Sequence, residues 1–153
     1  EQDISDLLDQ TIELAKSDYD LKRRYDFKKI LIIKRYNPDT PLVMCEVSKI
    51  QQVFFNIFKN SAEAMQDMET LTDPTFKVSV RPAGRYVRVE IKDNGPGMTE
   101  DTRKRIIEPF FTTKPVGKGT GLGLSVSYFI ITDNHNGKMN VISEPGKGAT
   151  FII

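Results

Sequence analysis

Glu46-Val47-Ser48-Lys49-Ile50-Gln51-Gln52-Val53-Phe54-Phe55-Asn56-Ile57-Phe58-Lys59-Asn60-Ser61-Ala62-Glu63-Ala64-Met65-Gln66-Asp67-Met68 runs without a glycine or proline. Within it Val47, Ile50, Val53, Phe54, Ile57, Phe58, Ala64 and Met65 recur at the spacing that lines up side chains on one side of an α-helix. The pattern predicts the longest and best-packed helix of the chain. Turning by about 100° per residue, the same helix gathers Gln52, Asn56, Asn60 and Glu63 into one polar stripe. Asn60 falls at the edge of the apolar arc, stacked one turn after Asn56.

Upstream, Ile4, Leu7, Leu8, Ile12, Leu14 and Ala15 predict a short amphipathic helix to about Asp18, with Ser5 as its cap. Phe27 to Ile33 is rich in branched residues and reads as a strand running to the turn at Asn37-Pro38-Asp39. Downstream, Phe76, Val78 and Val80, then Val87, Val89 and Ile91, alternate with polar residues around Pro82-Ala83-Gly84, a hairpin pattern. The second of these strands runs into Asp93-Asn94-Gly95-Pro96-Gly97. A short helix capped by Thr99, a lid-like loop from Pro109 to Gly119, a helix from Leu122 to Thr132 and strands at Lys138 to Ser143 and Ala149 to Ile153 complete the order. This order predicts an α/β fold: a two-layer sandwich whose mixed, mostly antiparallel sheet carries helices on one face.

The 153 residues suit a single domain, 39% hydrophobic and 28% charged, and the formal charge of +1 gives no general attraction to nucleic acid or anionic membrane. No apolar run approaches the roughly 20 residues that a spanning helix requires. One cysteine excludes an internal disulfide and fits a reducing compartment, and one histidine excludes a His-rich zinc site. The expected location is cytoplasmic, whether or not the parent protein is membrane-anchored. The last strand ends on Ile153, so residues 1–153 are expected to be one domain of a longer protein.

Six of the ten glycines fall between Gly95 and Gly123. Backbone free of side chains lets N–H groups approach an anion closely, and Gly119-Thr120-Gly121-Leu122-Gly123 opens into a predicted helix, where phosphate is favoured. The plainer reading is a flexible hinge. Neither Walker A nor a dinucleotide fingerprint is present. Asp93, at the end of a strand, is placed either to accept from the amine of a flat ligand such as adenine or to close an Asx turn. The Asn56 and Asn60 stripe is either a solvated face or a set of amide oxygens aimed at hydrated Mg²⁺. Lys114 and Lys118 lie in the lid, where a lysine can act as a mobile charge toward phosphates. Phe110 and Phe111 either anchor the lid or join the core, and His135 reads as structural.

Together these segments resemble the ATP-binding catalytic domain of sensor histidine kinases, in the superfamily that also holds type II topoisomerase, MutL-type and heat-shock chaperone ATPases. Gln52 to Ala62 resembles its N box, Asp93-Asn94-Gly95-Pro96-Gly97-Met98 the first glycine box, Glu108-Pro109-Phe110-Phe111-Thr112-Thr113-Lys114 the F box and Gly119 to Leu124 the second glycine box. The EPFFTTK form and Asn-x-x-x-Asn-Ser-Ala-Glu-Ala-Met look most like the nitrogen-regulation type. The resemblance implies the Bergerat two-layer sandwich, with ATP and Mg²⁺ as cofactors. It implies that Asp93 binds the adenine amine, Asn60 holds Mg²⁺ and Asn56 lines the phosphate side. Gly95 and Gly97 would shape the adenine pocket, Ala64 and Met98 pack near the base, and Thr150 reach it through water. Gly119, Thr120, Gly121, Leu122, Gly123 and Leu124 would cradle phosphates beneath a lid contributing Phe110, Thr113, Lys114 and Lys118, with Asn56 and Lys114 nearest the chemistry.

Hydrolysing relatives carry a glutamate at the Asn56 position, and asparagine there cannot serve as a general base, so the resemblance implies phosphoryl transfer to protein rather than fast hydrolysis. The acceptor would be a histidine on a separate dimerising hairpin, relaying to a response regulator; this chain alone is expected to be monomeric and not to phosphorylate itself. The alternatives are a superfamily ATPase or a serine kinase or regulatory domain that retains nucleotide. Two positions depart from the family pattern: Glu63 stands where many such kinases carry lysine, and Asn136 replaces the first glycine of the usual HGG turn.

Overall fold

In the computed structural model, which describes residues 1–18 and 25–153, two layers form: a five-stranded sheet and a set of helices covering one of its faces. Helix α1 (Ile4–Ser17) is followed by a 3₁₀ turn (Phe27–Lys29), strand β1 (Leu31–Tyr36) and the long helix α2 (Val47–Gln66). The hairpin β2 (Thr75–Ala83) and β3 (Tyr86–Asp93) leads to α3 (Glu100–Arg105), the lid, α4 (Gly123–Phe129), a π turn (Ile130–Asn134), β4 (Asn140–Ser143) and β5 (Ala149–Ile152). The spatial order is β1-β2-β3-β5-β4. β1 runs parallel to β2, with α2 as the crossover, and all other neighbours are antiparallel. The fold class expected from the element order is the one observed.

The covered face follows from alternation along the strands. Phe76, Val78 and Val80 of β2 and Val89 and Ile91 of β3 are buried beneath α2, whose Ile50, Val53, Phe54, Ile57, Phe58, Ala62 and Met65 fill the facing arc. Phe27, Phe58 and Phe76 meet at ring centroid distances of 5.1 to 6.1 Å, welding the 3₁₀ turn, α2 and β2 together. The other face of the sheet carries Lys77, Arg81, Arg88 and Lys92, as the alternation demands.

Several boundaries differ from the sequence-based expectation. Asp3, not Ser5, caps α1: its carboxylate accepts from the Ser5 amide at 2.8 Å. Phe27 to Lys29 coil into a 3₁₀ turn that sinks Phe27 into the core, so the strand begins at Leu31 and extends to Tyr36. Pro82 and Ala83 belong to β2, opposite Val87 and Tyr86, leaving Gly84-Arg85 as the tight turn, with Gly84 at φ +64. The helix expected from Leu122 to Thr132 is α-helical only to Phe129 before the π turn, and β4 begins at Asn140 rather than Lys138. Asn136 takes φ +51, a left-handed conformation that asparagine tolerates better than most residues, so the glycine it replaces is not missed. His135 is structural: Nδ1 donates to the Ile130 carbonyl at 2.8 Å and Nε2 accepts the Glu46 amide at 3.1 Å, closing the start of α2.

Candidate nucleotide site

A cavity of about 480 Å³ lies between α2, the end of β3, the lid and the start of α4, a volume in the range of small-molecule sites. One wall is the polar stripe of α2. The apolar arc of that helix is committed to the sheet, so Asn56, Asn60 and Glu63, on its flank, are turned to the cavity.

Asp93 forms the floor. Its carboxylate is 4% exposed at the last position of β3, where Oδ1 accepts the Gly95 amide at 2.9 Å and the Ala149 amide at 3.2 Å, and the Ser61 hydroxyl also donates to it. Burial pushes this carboxyl upward from its ordinary value, and the Gly95, Ser61 and Ala149 donors partly offset the shift. With Oδ1 engaged by two backbone amides, the carboxylate keeps acceptor capacity for an amine in the cavity.

Two glycines let the flanking loops close over this floor. Gly97 (φ +69) lies against the Glu144 carbonyl and Gly148 (φ +72) against the carbonyl of Asp93 itself, where a Cβ on either would collide with backbone. The Gly146 amide donates to the Pro96 carbonyl at 2.7 Å, and the Met98 amide to Ser143 Oγ at 2.9 Å, joining the first glycine loop to the β4–β5 turn.

Toward the other end, Asn56 Nδ2 donates to the Gly123 carbonyl and to Ser127 Oγ, both at 3.1 Å. This holds the opening of α4, with its unpaired N–H groups, against α2, where an anion is favoured. The Lys114 ammonium reaches from the lid to the Glu63 carboxylate and donates to Asn60 Oδ1 at 3.3 Å.

Of the residues singled out in the sequence, Asn56, Asn60, Ala64, Asp93, Gly97, Met98, Thr113, Lys114, Lys118, Gly119, Thr120, Gly121, Gly123 and Leu124 line this one cavity. Gly95 stands beside it, tied to Asp93, and Leu122 caps α4 without reaching the wall. Two assignments are corrected. Phe110 takes φ +65 and is 74% exposed, its amide bonded to the Gly121 carbonyl at 3.0 Å; that reversal turns Phe111 to the cavity instead, with the Arg105 guanidinium 4.4 Å from its ring centre. On β5, Ala149 and Phe151 face the cavity, and Thr150, one residue out of phase, lies on the opposite face of the sheet beside Lys92. The sequence reading assigned no site role to Ser61 or Ala149, and noted Glu63 only as a member of the polar stripe and a departure from the family pattern. Glu63 sits three residues after Asn60, a spacing that signals proximity; nothing local marks Ser61 or Ala149.

The family described as histidine kinase-, DNA gyrase B- and HSP90-like ATPase matches residues 45–153. Sporulation kinase E of Bacillus subtilis is 46% identical over 116 residues, 75% of this chain and 15% of that protein. The sensory histidine kinase/phosphatase NtrB of Rhodobacter capsulatus is 36% identical over 126 residues, 77% of this chain and 35% of that protein. Among solved structures, a nucleotide-free catalytic domain of the histidine kinase ThkA superposes with a TM-score of 0.78 at 27% identity, covering 99% of this chain and 90% of that one. The fold and the cavity define an ATPase-type domain of the kind found in sensor histidine kinases. The chain belongs to the histidine kinase-, DNA gyrase B- and HSP90-like ATPase family. It spans well under half the length of the kinases it matches.

Proposed function

We propose that the chain is the Mg-ATP-binding catalytic domain of a two-component sensor kinase, donating the γ-phosphoryl group to a histidine on a separate helical hairpin for relay to a response regulator. In this reading Asp93 accepts from the adenine amine while Gly95 and Gly97 shape the pocket around the base. The backbone of Gly119, Gly121 and Gly123 and the ammonium of Lys118 meet the phosphates. Asn60 Oδ1 is a hard oxygen donor of the type Mg²⁺ selects, and an ammonium already sits against it, so the position suits a cation. Bound there, Mg²⁺ would neutralise phosphate charge.

The observation that carries transfer over hydrolysis is Asn56. Its amide is committed to the Gly123 carbonyl and Ser127 hydroxyl, and it has no basic group with which to activate water. The incoming nucleophile is then the acceptor imidazole: its nitrogen bonds to the γ-phosphorus as the bond to the bridging oxygen breaks, and ADP leaves.

The test is labelled ATP with this chain alone, and with a histidine-bearing hairpin supplied in trans. The expected result is slow phosphate release alone and an acid-labile phosphoryl group on the hairpin histidine. Rapid hydrolysis by the chain alone, or transfer to a serine, would overturn the reading.

A further inference from the structure

Glu63 is a buried carboxylate that the proposed function does not use. It lies on α2, three residues after Asn60, is 4% exposed and lines the nucleotide cavity. Its carboxylate meets the Lys114 ammonium, and the same ammonium donates to Asn60 Oδ1 at 3.3 Å. Two oxygen donors from one helix face therefore converge on one cation.

A buried carboxylate is tolerated when a cation offsets it and is strongly destabilising when none does. Lys114 reaches Glu63 from the lid at the end of a flexible four-carbon stem. Whatever draws that ammonium away, as phosphates in the cavity would, must leave another cation in its place. A carboxylate, an amide oxygen and phosphate oxygens are a donor set that suits Mg²⁺, which is held by one or two carboxylates together with substrate phosphates.

We propose that Glu63 and Asn60 form a single cation site, held by the Lys114 ammonium in the nucleotide-free chain and taken over by Mg²⁺ when nucleotide enters. Glu63 is then a metal-binding residue, and Lys114 is an internal competitor that the exchange releases toward the phosphates. This rests on the reading of the cavity as a Mg-nucleotide site. Glu63 then sets the metal dependence of nucleotide binding.

The experiment is calorimetric titration of the chain with ADP in EDTA and across a Mg²⁺ series, for wild type, Glu63→Gln and Lys114→Met, with Mn²⁺ binding followed by electron paramagnetic resonance. Glu63→Gln is expected to need about ten- to a hundredfold more Mg²⁺ than wild type for the same gain in affinity over its own metal-free ADP binding. Lys114→Met is expected to bind Mn²⁺ more tightly than wild type, even without nucleotide, because the competing ammonium is gone. An unchanged Mg²⁺ requirement in Glu63→Gln, or weaker Mn²⁺ binding by Lys114→Met, overturns the proposal. Should Glu63→Gln fail to fold, the Mn²⁺ comparison decides alone. Absence of ADP binding by wild type under both conditions would instead remove the nucleotide reading, an outcome distinct from ADP bound with unaltered metal dependence.

Discussion

Asn56 on α2 and Gly123 at the first turn of α4 are joined by a 3.1 Å hydrogen bond from the Asn56 amide to the Gly123 carbonyl. The buried Ser127 hydroxyl donates to the same carbonyl at 2.8 Å, so three residues fix the angle at which α4 opens onto the cavity. The glycine run is thereby positioned by a side chain far away in sequence.

Replacing Asn56 with alanine removes the side-chain bond that ties the Gly123 carbonyl to α2. The expected loss is about 1–2 kcal/mol of stability, together with weaker nucleotide binding, because the amides at the start of α4 lose their fixed aim. Urea unfolding and ADP titration of Asn56→Ala check both. Full stability with normal affinity would show that α4 is held by apolar packing alone.

Asp93→Asn keeps an oxygen for the Gly95 and Ala149 amides but turns an amide donor toward the ligand amine. Removing a charge-assisted hydrogen bond worth roughly 1.5–3 kcal/mol should lower ATP affinity about ten- to a hundredfold in a domain that remains folded. Calorimetry on the folded variant is the check, and equal affinity would put the base elsewhere in the cavity.

The same substitution carries a pH signature. Burial raises the Asp93 carboxyl above its ordinary 3.8, so the folded chain holds this proton more tightly than the unfolded chain. Stability therefore falls, relative to Asp93→Asn, as pH climbs from 3.8 through the folded value, and the difference levels off above it. Denaturant unfolding of both proteins across that window should reveal the slope; parallel curves would contradict it.

Gly97→Ala and Gly84→Ala form a matched pair, since both glycines have positive φ. Gly84 has open space around it, whereas a Cβ on Gly97 meets the Glu144 carbonyl. Gly84→Ala should cost about 1–2 kcal/mol from backbone conformation alone. Gly97→Ala should cost distinctly more, and should separate the first glycine loop from the β4–β5 turn. Melting temperatures of the two variants decide it.

Nucleotide at about a hundred times its dissociation constant should add roughly 2.7 kcal/mol, or about 5–10 °C in Tm for a domain of this size. In Asp93→Asn at the same concentration, with affinity about ten- to a hundredfold lower, the gain should fall to about 0.4–1.4 kcal/mol. No shift at millimolar nucleotide would argue against an ATP site.

Most residues of the cavity wall were named through the resemblance of the four motifs to a known family, whereas the apolar periodicity of Val47 to Met65 and the alternation of Phe76 to Val80 and Val87 to Ile91 were enough to read the layers and the sheet's helical cover from the chain alone. These are local signals, because a helix or strand that buries one face must repeat at its own period. Three features were not legible. Phe110 and Phe111 are chemically identical neighbours, and only the left-handed backbone at Phe110 decides that Phe111 enters the site. Thr150 and Ala149 differ by one step of strand register, which depends on pairing with β3 and β4. Glu63 belongs to a stripe that reads as polar and solvated, yet it is buried because a lid residue 51 positions further along folds back onto it. Each depends on which distant backbone comes to rest against the residue, and that is a property of the packed chain rather than of any segment of it.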